Sequence, residues 1–388
     1  MTTHTAPAVR PLRRGLTAAA LTVAAALTLS ACGSNNATDK ATDTASANST
    51  GVSQDDLGGA AMSKDLTALY DQAVAAGQTS VVIYGPSGGS DQNLYDAFHE
   101  AFPAITVQGV SVVGPPLEQK LTAEETSNQH VGDIVYTGPG SMMKWADQGR
   151  FEPYVPIPIQ QGQKPISDQV IGPKDSFYGV STAIQGTIIN TDLVTTKPTG
   201  WLDFVAPEWK GQVAMGDPTA QGGAADIFAR LKKDPQDRYA NLMQQYRDND
   251  LQRFPSSQPT GPLDAVAQGA KKVGLGMGYN YYTNAKAKGA PIDFVLFPED
   301  NYAVILYQGQ IKGAPHPLAA QLYESWMMTP HGAKALARGG SYSTIEGSPA
   351  PDGMPPFASV ELMWEMPLAD TVELDNASVK AAQAIWGS

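Results

Sequence analysis

A single cysteine, Cys32, stands in the chain of 388 residues, so no disulfide can form within it. Histidine is nearly as scarce. Of the five, His4 lies in the N-terminal leader, His99 falls inside a predicted helix, and His130, His316 and His331 show no metal-ligand spacing among themselves. Basic residues are short against acidic ones, 26 to 38, giving a formal net charge of -12. Such a surface repels nucleic acid and anionic lipid headgroups, although a cleft can still gather hydrogen-bond donors while the exterior stays acidic. Past residue 29 no apolar run reads as a transmembrane helix, and no internal repeat is visible.

What the chain does have begins with a leader. Arg10, Arg13 and Arg14 form a basic segment, Leu16 to Leu29 is an apolar run short for a bilayer span, and small residues follow. Residues 1–31 therefore read as a secretion signal. Its end, Leu29-Ser30-Ala31-Cys32, resembles a bacterial lipobox. That resemblance implies cleavage before Cys32 and acylation of its sulfur and new amino group, which would anchor the protein to the outer face of the cell membrane. Residues 32–60 are mostly Ser, Thr, Asn, Asp, Ala and Gly, with too little apolar surface to offset their ordering entropy, and read as a flexible tether.

The remainder is long enough for two domains by the usual length prior. Ser80 to Tyr84 reads as a strand, and from Ser90 the residues Leu94, Ala97, Phe98, Ala101 and Phe102 recur at helical spacing. Ile105 to Val113 and Asp133 to Tyr136 read as further strands, with helical signal at Leu117 to Glu125 and Ser141 to Gln148. A second block opens near Tyr178 with extended apolar runs, then a short helix at Trp201 to Val205 and a strand at Gln212 to Met215. Strands alternating with helices predict an α/β fold whose mainly parallel sheets are covered on both faces.

Two turns in this pattern match. Gly85-Pro86-Ser87-Gly88-Gly89-Ser90 leads from the first strand into a helix, and Gln221-Gly222-Gly223 does the same in the second block. A helix N-terminus exposes unpaired N–H groups and carries about half a positive charge, and glycine lets a ligand approach the backbone closely. Two such turns facing one cleft would clamp an anion. Glycine-rich strand-to-helix turns are also routine in α/β folds, and Gly85 to Gly89 fits the G-x-S-x-G pattern of a serine nucleophile elbow. In that reading Ser87 is a hydrolase nucleophile and His316 or His331 its base. Against it, the motif follows the first strand of the folded part, where an elbow usually follows several. A structural cell-surface adhesin fits the tether but gives the paired turns no purpose.

The lipobox, the stretch "VVIYGPSGGSDQNLYDAFHEAFPAITV", the phrase "IINTDLVTTKPTGWLDFVAPEWKGQVAMGDPTAQGG" and the later "GAPHPLAAQLYESWMMTPHGAKAL" resemble the extracytoplasmic solute-binding proteins of ABC importers. Among these, the ferric-iron-type group is the most similar; it also includes binders of phosphonates, phosphate esters, polyamines and thiamine. The resemblance runs from about Ser80 to Ser348. It implies a two-lobed, type II periplasmic-binding-protein-like fold, with residues 78–181 and 298–388 forming the first lobe and C-terminal helices and 182–297 the second lobe. It further implies a monomer that closes over a small-molecule ligand about strands near Ser181 and Phe297, performs no chemistry on it, and hands it to a permease and its ATPase.

Position gives the expected binding residues: Ser87, Gly88, Gly89 and Ser90, with Thr137 and Gly138 after the third strand, because open α/β sheets bind ligands beyond their strands' carboxyl ends. The second lobe adds Gln221, Gly222, Gly223, Tyr281 and Tyr282, and Thr182 sits at the presumed crossover. No bound cofactor is expected. The resemblance places Tyr281-Tyr282 where iron-binding members hold ferric ion, so iron carried with an anion stands as an alternative ligand. Both tyrosines reach a cleft only if they lie just past a strand's end, since neighbours on a strand face opposite ways; otherwise Tyr279 and Tyr281 alternate with Asn280 and Tyr282 on a half-buried strand, or contact an organic ligand. The first turn carries no histidine or charged side chain for a metal, which favours a small organic anion.

Overall fold

The computed structural model of the chain describes residues 49–86, 92–297, 301–362 and 367–387. The signal segment, Cys32 and the start of the tether lie outside these, as do Ser87, Gly88, Gly89 and Ser90.

The chain begins with α1 (Ala60–Ala75), β1 (Ser80–Gly85), α2 (Gln92–Ala101), β2 (Thr106–Ser111), α3 (Gly114–Ser127), β3 (Ile134–Thr137), α4 (Pro139–Asp147) and one-turn α5 (Ile157–Gln160). The long strand β4 (Tyr178–Asn190) leads into β5 (Val213–Gly216), α6 (Gly223–Leu231), α7 (Leu242–Asp248), β6 (Gln252–Phe254), α8 (Gly261–Ala267), β7 (Val273–Gly278), α9 (Tyr279–Ala287) and β8 (Ile292–Val295). Then β9 (Tyr302–Gln310) returns to the first half, followed by α10 (Pro317–Trp326), α11 (Pro330–Arg338), the short β10 (Tyr342–Ser343) and α12 (Thr371–Trp386).

The strands form one ten-stranded sheet in the order β2-β1-β3-β9-β4-β7-β5-β6, with β8 and β10 also pairing to β4. On one flank β1 runs parallel to β2 and β3, and on the other β5 runs parallel to β6 and β7. Between them β9 and β4 pair antiparallel with each other and with their outer neighbours. The result is an α/β fold of two parallel lobes joined by two crossing strands. Parallel neighbours need long crossovers, and helices such as α2, α3, α6 and α8 supply them.

Period-two alternation sorts side chains between the layers. On β1, Val81 and Ile83 enter the core under α1, α2 and α10, whereas Val82 and Tyr84 point to the core under α3 and α4. In the second lobe Val213, Met215, Val273 and Leu275 pack beneath α6, α7 and α12. There β7 breaks its alternation. Gly276 adopts φ +65° opposite a register shift in β4, and a Cβ at that position would lie 2.4 Å from Ile227 Cδ1. The bulge turns Met277 to the opposite core, with Ile188, Leu263 and Ile292.

Two boundaries differ from expectation. The segment assigned to the tether's end is docked: Leu57 is fully buried, Gly51 N–H donates to Ala101 O at 3.0 Å, and Asp56 pairs with Lys334 at 2.8 Å. Val52 and Leu57 are the apolar residues that a tether lacks. The last helix, expected with the first lobe, packs on α6 and α7 through Ala382, Ala381, Ile385 and Trp386, and also touches α4. Among the described residues no helix is long and apolar enough to cross a membrane.

Candidate functional site

A cavity of about 920 Å³ opens where the carboxyl ends of β2, β3 and β5 approach the crossing strand β9. Four helices, α3, α4, α6 and α12, begin at its wall. At α4, Gly138 is the N-cap with no side-chain hydrogen bond, and Gly140 and Ser141 of the first turn line the cavity. At α6 the N-cap is Gly222, again without a side-chain cap, and Gly223 follows. The first N–H groups of a helix have no intrahelical acceptor, so both turns present donors to whatever the cavity holds. Gly222 has φ +145°, a conformation that only glycine adopts without strain. The third start differs: α3 opens with Gly114-Pro115-Pro116, and proline has no N–H, so this end adds apolar wall and few donors.

Hydroxyls from Thr137, Ser141, Ser256 and Ser257 face the same space, and Ile305, Leu306, Phe357, Leu368 and Val372 make it largely apolar. Among the described residues its charged side chains are Asp226, Arg230 and Asp375. Arg230 Nε meets Asp226 Oδ2 at 3.1 Å across one turn of α6. Burial nevertheless raises the Asp226 carboxyl above its ordinary range, with Arg230 opposing the rise. Asp375 is pushed up to about 7, by burial first and by the neighbouring Asp226 charge second.

Five expected residues meet here: Thr137, Gly138, Gln221, Gly222 and Gly223 all line the cavity. Gln221 is also tied to α12, its Nε2 donating to Asn376 Oδ1 at 2.8 Å. Thr182 is elsewhere. It is fully buried in β4 between β9 and β10, paired with Ile305 and Tyr342, and is not among the residues lining the cavity. Tyr281 and Tyr282 also lie away from the cavity wall. They do come after the end of β7, but as the first turn of α9, not on a strand. Their side chains pack with Ile188, Val266 and Met277, and the Tyr282 ring sits 5.6 Å from Phe294.

Asp226, Arg230 and Asp375 were not singled out from the sequence. The Asp226-Arg230 spacing of one helical turn just after the glycine turn was a usable signal. Asp375 had none, because the topology brings it from the far end of the chain.

A family model described as "Bacterial extracellular solute-binding protein" matches residues 93–359. The chain belongs to that family. No curated protein matches this solute-binding protein. Among solved structures, iron-bound HitA from Pseudomonas aeruginosa is 18% identical with a TM-score of 0.66, over 79% of this chain and 99% of that one. The periplasmic binding protein AfuA from Actinobacillus pleuropneumoniae, with fructose-6-phosphate bound, is 19% identical with a TM-score of 0.66, over 79% and 98%. The substrate-binding protein of an ABC transporter from Agrobacterium tumefaciens is 13% identical with a TM-score of 0.65, over 80% and 96%. These likenesses establish the two-lobed type II binding-protein fold. Membership places the solute-binding protein outside the cytoplasm, in a family that binds solutes and is not enzymatic.

The histidines considered for a hydrolase are engaged structurally. His316 Nδ1 lies 3.0 Å from buried Asp133 Oδ2, and His331 Nδ1 accepts from the Trp326 indole at 3.1 Å. Neither lines the cavity. Among the described residues no cluster of three His, Cys, Asp or Glu could hold a metal ion.

Proposed function

We propose that the protein is the lipid-anchored capture subunit of an ABC importer, tethered through acylated Cys32, and that its solute is a small organic anion. The observation that carries this is the pair of uncapped helix N-termini, at Gly138 and at Gly222-Gly223, opening into one cavity from opposite lobes. The volume supports an organic solute. Ligand pockets for small molecules span roughly 300–1,000 Å³, and a lone metal ion with its anion would leave most of about 920 Å³ unfilled. The sugar phosphate named for AfuA is a solute of this kind; the iron named for HitA is not.

Ferric iron would need the phenol oxygens of Tyr281 and Tyr282, and both rings belong to the packing around Met277 and Phe294. Burial and the neighbouring Asp293 charge also hold the Tyr282 hydroxyl above its usual pKa, which opposes phenolate formation. Capture proceeds by closure of the lobes about β4 and β9, near Ser181 and Phe297, with delivery to the permease and its ATPase as a monomer.

A thermal-shift screen tests this directly. Against the chain without its signal segment, phosphate esters, phosphonates or dicarboxylates are expected to raise Tm by mass action, about 3 kcal/mol of stabilisation at a hundredfold excess over Kd. Stabilisation by ferric citrate alone, with a charge-transfer colour lost in Tyr281→Phe/Tyr282→Phe, would replace the organic anion by iron.

A further inference from the structure

Beside the α6 N-terminus the cavity wall carries a second, opposite chemistry. Asp226 lies one turn into α6 and Asp375 one turn into α12; each is 9% exposed. Each also has its Oδ1 without a hydrogen-bond partner among the described residues. Arg230 engages the other oxygen of Asp226. The hydroxyl of Tyr302, a residue 1% exposed, likewise has no partner among them, and a Cβ built on Gly223 would stand 3.6 Å from it. The two helices are pinned here, since Ser378 Oγ donates to Ala225 O at 2.7 Å. Asp226 and the Tyr302 hydroxyl thus lie within a turn of the glycine pair, and Asp375 Oδ2 lies 3.7 Å from where a Cβ on Gly140 would stand.

Leaving such groups unpaired costs free energy, and two carboxylates near one another cost more. The Arg230 guanidinium bonds Asp226 and acts on Asp375 through its charge, yet both carboxyls stay above their ordinary range. The burial and mutual charge that push Asp375 up to about 7 are relieved if a cation sits between the two acids. No lysine lines the cavity among the described residues. The missing positive group is therefore one that a ligand can bring.

We infer that the solute is zwitterionic, its anionic group held by the N–H groups at Gly223 and an ammonium group held by Asp226 and Asp375, with the Tyr302 hydroxyl beside Asp226. The inference rests on the anion-capture reading and narrows its substrate class. Asp226 comes three residues after Gly223, about 4.5 Å along the helix axis, so a short-chain solute reaches both groups.

Calorimetric titration with two matched pairs tests it: O-phosphoethanolamine against ethyl phosphate, and β-alanine against propionate. In a pair that binds, the aminated member is expected to bind at least about tenfold more tightly, the worth of one charge-assisted hydrogen bond. Asp375→Asn should cut the aminated member's affinity by about tenfold more than that of its plain partner. Because the wild-type comparison needs no variant, a poorly folding Asp375→Asn would not spare the inference. Equal or weaker binding of the aminated members overturns the ammonium subsite and leaves anion capture standing. Silence of all four, with binding of ethanolamine or putrescine alone, overturns both.

Discussion

Gly223→Asp is expected to weaken anion binding by about a hundredfold or more while leaving the fold intact. The substitution places a carboxylate at the first position of α6, where it competes for the N–H donors that the solute uses and repels the solute's charge. Losing charge-assisted hydrogen bonds costs about 1.5–3 kcal/mol each, and a like charge at contact range adds about 1–4 kcal/mol depending on solvent exposure. Sterically the change is mild. A Cβ at Gly223 meets only the Tyr302 hydroxyl, at 3.6 Å, and Gly223 lies outside the left-handed region that Gly222 occupies. Gly223→Ala is therefore the control and should lose less than about fivefold. Calorimetry with the best anion of the screen, beside circular dichroism, reads both variants. Unchanged affinity in Gly223→Asp would remove the α6 N-terminus from the site.

The second large effect concerns stability. Glu324, on α10, is 4% exposed and has no salt-bridge partner among the described residues, and burial alone pushes its carboxyl up to about 8. The folded protein therefore keeps this proton up to that pH, whereas the unfolded chain releases it near the ordinary value of 4.5. Between those two values the folded state binds more protons than the unfolded one, so stability falls as pH rises. Above about 8 the carboxyl is ionised in both states and the penalty is constant. Its full size is about 5 kcal/mol. Glu324→Gln removes the ionisation and fills the same space, so Tm should rise by about 5 °C or more near pH 9 and by much less near pH 5. Equal shifts at the two pH values would show that Glu324 titrates normally in the folded chain.

Much of the scaffold was legible because local signals agreed. The alternation of Val81, Val82, Ile83 and Tyr84 into two cores is what a strand covered on both faces writes into a sequence. The glycine turn before α6 combined two features of one element, and Thr137-Gly138 came from the rule that ligands sit beyond strand ends. The tyrosine pair was ambiguous for a local reason. "GLGMGYNYY" carries β-favouring residues to its end, and nothing in it marks where the strand stops. The chain switches to helix directly after Gly278. The bulge at Gly276, which sets the face to which Met277 turns, depends on Ile227 from another element. The packing of α12 on α6, and with it the place of Asp375, was invisible for the same reason on a larger scale, since only tertiary packing brings residues 226 and 375 together. The docked segment around Leu57 was hidden by its polar neighbours.

Native mass spectrometry of the gently purified protein, compared with Gly223→Asp and with Tyr281→Phe/Tyr282→Phe, tests the central claim most directly. The expected result is one small organic adduct per chain, kept by the double tyrosine variant and lost from Gly223→Asp. An adduct of iron mass that survives Gly223→Asp and vanishes with the tyrosines would contradict it.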